Sequence, residues 1–94
     1  EVEVIPLGYS QKEKWDKVVS IYPNPLVTQS IIQFSIPIKN IELHFYDIIG
    51  QRVKTITPDK KQFTISQTDF KNGIYLYRVV RDGFILATGK LIVE

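Results

Sequence analysis

The chain has 94 residues, no cysteine, no methionine, 12 Lys plus Arg against 10 Asp plus Glu, and a formal net charge of +2. That length holds one domain. The missing thiols exclude a disulfide scaffold, a zinc–thiolate site and a cysteine nucleophile. So small a charge surplus gives no strong field for a nucleic acid or a membrane. Val, Ile and Thr supply 29 residues, Ala and Leu only 7. β-Branched side chains lose rotamer freedom in helices and pack well on pleated sheets. The composition therefore argues against coiled coils, helical bundles and Rossmann-type domains.

In chain order, Glu1-Val2-Glu3-Val4 alternates polar and apolar and suits a strand, either the end of a preceding domain or a stray edge strand. Residues 8–17 are polar, mixed in charge and linker-like. Trp15 within them is either a plug against the following domain or an exposed contact. The chain starts at Glu1 as though cut from something longer, and residues 1–17 read as linker or the end of a preceding domain. From Val18 to Glu94 the composition stays β-like.

Residues 18–22 form a first expected strand, ended by Pro23-Asn24-Pro25, because proline lacks the ladder donor. Asn24 is expected to bond its own backbone in an Asx-turn. Residues 30–36 form a second, with Ile32, Phe34 and Ile36 on one face, stopped by Pro37. In the third, residues 41–47, Ile41, Leu43 and Phe45 face one way and Glu42, His44 and Tyr46 the other, the period of a sheet with one wet face. Asp47 and Gly50 bracket a tight hairpin loop. Residues 51–56 return with Arg52 and Lys54 expected on the outer face. Residues 62–66 are a short fifth strand. Phe70 is expected as a plug beneath the corner at residues 69–73. Residues 74–81 and 84–93 are the last two strands, joined by Asp82-Gly83, the strongest two-residue hairpin signal present. In the last, Ile85, Ala87, Leu91 and Val93 are expected on one face. Seven short strands without a helix predict an all-β fold, a seven-stranded antiparallel immunoglobulin-like β-sandwich. A small barrel is the architectural alternative.

Candidate chemistry is sparse. His44, the single histidine, shares a face with Glu42 and Tyr46. A metal site needs three or four converging ligands and catalysis a nucleophile near an oriented base. A solvent-facing polar stripe is the simpler expectation. Asp47, Asp59, Asp69 and Asp82 all lie in or beside turns, which turn chemistry explains. Tyr75 and Tyr77, with Tyr22, would either form an aromatic platform for sugars or fill the core. The pattern calls for no cofactor, no metal and no catalytic residue. On residues alone, this is a β-sandwich module and not an enzyme.

Four segments go further. These are Val19-Ser20-Ile21-Tyr22-Pro23-Asn24-Pro25, the hairpin from Leu43 to Val53 (LHFYDIIGQRV), Asn72-Gly73-Ile74-Tyr75-Leu76-Tyr77-Arg78-Val79, and Gly89-Lys90-Leu91-Ile92-Val93. In this order and at these separations they resemble the C-terminal sorting domain of the type IX secretion system. The resemblance implies a domain at the C-terminus of an exported protein of a Gram-negative bacterium. Such a domain carries its N-terminal cargo from the periplasm through the outer-membrane translocon to the cell surface or medium. A sortase-like peptidase then removes it, and that cleavage maps to the region of residues 8–17. The recognition elements map to Pro23, Asn24, Pro25, Gly73, Tyr75, Gly89, Lys90, Leu91, Ile92 and Val93. Many members end in a basic residue, whereas this chain has Glu94. A final strand at a sheet edge would also offer unpaired backbone groups for recognition by strand addition. The contrasting reading is a carbohydrate-binding or adhesive sandwich appended to a secreted hydrolase.

Overall fold

The computed structural model describes residues 18–94. The strand expected at residues 1–4, the linker at 8–17 and Trp15 lie outside the described residues. The elements in order are β1 (Val19–Tyr22), β2 (Gln29–Phe34), β3 (Ile41–Tyr46), β4 (Arg52–Ile56), β5 (Gln62–Ser66), a 3₁₀ turn (Gln67–Asp69), β6 (Gly73–Arg81) and β7 (Phe84–Val93). They form two antiparallel sheets, β1-β2-β5 and β4-β3-β6-β7. One apolar core joins them. Val19, Ile21, Ile32, Phe34 and Ile65 come from the smaller sheet, and Ile41, Leu43, Phe45, Tyr75, Val79, Ala87, Leu91 and Val93 from the larger. The all-β expectation holds. In the constant-type immunoglobulin order the fourth strand joins the sheet of the first, whereas here β4 pairs with β3.

The alternations read from sequence put the expected residues inside on β2 and β3. Phe70 is the expected plug, edge-on to both Phe45 and Tyr75 with ring centroids 5.1 and 5.4 Å away. The Asp82-Gly83 turn has φ values of +50° and +84°, both positive as a type I′ hairpin requires.

Three expectations about which way a side chain faces need correction. Lys54 faces inward, because Phe45 and Tyr46 are separated by a register shift against β4. Lys54 lies opposite Phe45, and its ammonium sits 5.7 Å from the Phe70 ring centroid. An inward charge on an edge strand blunts edge-to-edge association, and the ring face attracts the cation. Arg52 alone takes the outer face. Ile85 is exposed, because a bulge at Val79/Val80 pairs Ile85 with Val80 and leaves Leu86 to pack on the core. His44 is 7% exposed and not solvent-facing. The neighbouring strands and their long polar side chains cover it.

The pairings also sort the loops by end. Val19 pairs with Phe34, and Ile41 with Arg81, so Val18, the loops at 35–40 and 57–61 and the 82–83 turn share one end. Tyr22, Gln29, Tyr46, Gly73 and Val93 lie at the opposite end, with the connections at 23–28, 47–51 and 67–72.

Candidate recognition site

The ten residues singled out by sequence gather at that second end. Gly73 pairs with Val93 and Tyr75 with Leu91, which sets the start of β6 against the end of β7. The β1–β2 connection then crosses to the outer edge of β7. Asn24 is not in the expected Asx-turn. Its Nδ2 donates to Lys90 O at 2.7 Å, and its Oδ1 accepts from Ile92 N at 3.0 Å. Leu26 N donates to Ile92 O at 2.7 Å, Glu94 N donates to Leu26 O at 2.9 Å, and Leu26 makes a parallel bridge with Val93. An amide side chain offers one donor and one acceptor group at the spacing of a strand's outward groups. Asn24 thus acts as one more residue of an added strand. The peptide bonds Tyr22–Pro23 and Asn24–Pro25 are cis.

Buried groups anchor this clasp. Leu26 has no exposed surface and belongs to the core. Ser30, also buried, donates its hydroxyl to Pro23 O. The backbone groups Lys90 O, Ile92 N and Ile92 O of β7, and Glu94 N just past it, are therefore all occupied. Strand addition along that stretch would first have to displace residues 24–26.

Tyr75 is 7% exposed, and its hydroxyl donates to Lys71 O at 2.5 Å. This is the arrangement called a tyrosine corner, where a tyrosine near the start of the sixth strand ties down the chain leading into it. Gly89 lies opposite Tyr77. A Cβ there would overlap the Tyr77 ring, so glycine makes room for a tyrosine that also contacts Phe45. Tyr22 is exposed on the smaller sheet. The aromatic row that sugar binding would use is not assembled.

The ten residues divide accordingly. Tyr75, Leu91 and Val93 are buried and support the fold. Pro23, Asn24, Pro25, Gly73 and Lys90 are exposed, and Gly89 and Ile92 are half-buried. Only these can touch a partner of the folded domain.

His44 belongs to a separate network on the outer face of the larger sheet. Its Nε2 lies 2.7 Å from Glu42 Oε1, and Arg52 Nη1 lies 3.2 Å from each ring nitrogen. Tyr46 Oη is 3.4 Å from Nδ1, and Arg78 sits 4.9 Å from the Tyr46 ring centroid. With Nε2 donating to Glu42, Nδ1 accepts from Arg52; the tautomer is assigned from these partners. Every polar group of the ring has a partner, which is how a buried histidine is accommodated. No group of three or more metal-ligating side chains converges among the described residues.

Residues 20–94 match the family of the secretion system C-terminal sorting domain. The chain belongs to that family. No curated protein matches it. The sorting domain is a C-terminal signal for type IX secretion, in a family of signals and not of enzymes. Such a signal is attached to an N-terminal cargo and engages the secretion machinery. It directs export across the outer membrane, to the cell surface or the medium.

Two local signals in the sequence are explained only by the structure. Ser66 and Asp69 form a capping box on the 3₁₀ turn, with Asp69 Oδ2 accepting from Ser66 N at 3.1 Å. The Ser-x-x-Asp spacing announces it. Tyr75, four residues after Lys71, announces the corner. No local signal announces the reach of Asn24 to β7.

Proposed function

We propose that the accessible surface at the clasp end is what the type IX translocon reads. The exposed residues Pro23, Asn24, Pro25, Gly73 and Lys90 would carry the contact, while Tyr75, Gly89, Leu91, Ile92 and Val93 hold it in shape. After transit a sortase-like peptidase cuts within residues 8–17 and the cargo stays at the surface. The observation that carries this reading is the convergence of Pro23, Asn24, Pro25, Gly73, Tyr75 and the stretch 89–93 toward one end, opposite Val18.

The test is a fusion of residues 1–94 to a periplasmic reporter in a type IX-competent cell. The reading expects reporter at the surface or in the medium, shortened by cleavage upstream of Val18. Reporter that stays in the periplasm rejects it. Reporter that arrives intact rejects the cleavage step alone.

A further inference from the structure

The loop at residues 47–50 exposes more apolar surface than its own conformation requires. Ile48 and Ile49 are 81% and 80% exposed. Neither side chain makes the turn. Asp47 Oδ1 accepts the Ile49 and Gln51 amides at 3.1 and 2.9 Å, Gly50 N donates to Asp47 O, and Gly50 has φ +88°. Polar residues serve such positions as well. Beside this tip, Ile74 and Leu76 stand exposed on β6. Tip and strand enclose a groove of about 290 Å³ with Lys90 at its rim. The one acid lining it, Asp47, already holds two amides through Oδ1. The Lys90 ammonium has no ion-pair partner among the described residues.

We propose that this patch is a docking surface, and that its occupant is a protein of the secretion machinery presenting an apolar side chain next to a carboxylate. The proposal rests on the sorting reading and deepens it. Clustered exposed apolar side chains mark interaction sites. The cation at the rim selects a carboxylate on the partner and fixes its orientation. The patch shares the clasp end with Asn24 and Gly73, opposite Val18. Ile48 is the anchor lining the groove, with Ile49 exposed beside it, Ile74 and Leu76 form the wall, and Lys90 is the charge that sets register.

The experiment uses the 1–94 fusion in the type IX-competent cell. Surface reporter is compared for the native chain, Ile48→Ser/Ile49→Ser, Lys90→Glu, Lys90→Arg and a control at the other end, Phe84→Ser/Ile85→Ser. Surface arrival is expected to fall about tenfold or more for the first two variants, the effect of losing roughly 1.4 kcal/mol of binding. The control keeps native levels, and Lys90→Arg, which preserves the cation, loses far less than Lys90→Glu. If the native fusion is not exported, the sorting reading fails and the proposal falls with it. If the native fusion is exported and Ile48→Ser/Ile49→Ser matches it, only the docking surface is overturned. A photo-crosslinking amino acid at position 48 tests the occupant in an otherwise native domain. A crosslink to a translocon protein supports the proposal; a crosslink to lipid alone, or to a second copy of this chain, overturns it.

Discussion

The two ends of the sandwich are fastened in different ways. At the end holding Val18, residues 82–83 close a hairpin by their own backbone angles, and one side chain, Arg81, donates to the Pro37 and Lys39 carbonyls. At the other end buried groups do the fastening. Leu26, Ser30 and Tyr75 each combine burial with a bond to a distant or preceding backbone group. Asn24 bonds to residues 66 and 68 positions away. An end made of local turns tolerates change piece by piece. An end whose parts hold one another fails as a unit, and the residues proposed for recognition lie there.

The largest expected effect tests whether the clasp is part of the core. Leu26→Ala should lower stability by about 2–5 kcal/mol, the range for truncating a fully buried leucine, read from the urea midpoint. A loss as small as that of a surface change would mean the clasp is an appendage. Next, Asn24→Ala removes two hydrogen bonds and should cost about 1–3 kcal/mol. Amide exchange at Ile92 should quicken while the pairs near Arg81 and Phe84 exchange as before; uniform quickening would erase the distinction between the ends. Tyr75→Phe removes only the hydroxyl bond to Lys71 and should cost about 0.5–1.5 kcal/mol. Phe84→Ser, at the other end and on the surface, should stay within about 0.5 kcal/mol of the native chain. If it destabilises more than Tyr75→Phe, the contrast is wrong.

Most of the strand pattern was legible because burial on one face leaves a period of two in the sequence. Ile41, Leu43 and Phe45 show it plainly. Legibility failed where the ladder slips. The shift at Phe45/Tyr46 turned Lys54 inward and the bulge at Val79/Val80 turned Ile85 outward. One extra residue inverts every side chain beyond it, and nothing in the residues themselves marks the slip. His44 illustrates another limit. A strand in the middle of a sheet has neighbours on both sides, and here Glu42, Tyr46 and Arg52 close over a position that alternation alone marks as wet. For the proposed site, a family resemblance pointed to the ten residues, but their division into buried and exposed needed three dimensions. Asn24 in particular bonds to atoms that no short window contains.

Because the partners of Asn24 and Leu26 lie on β7, the clasp cannot close on a shortened chain. Synthesis that stops before Lys90 leaves Asn24 without either partner and strips β6 of its neighbour along the same stretch. Closure therefore certifies that translation has passed through Ile92. A device that inspects only closed clasps would pass copies that extend through β7 and leave shorter ones behind.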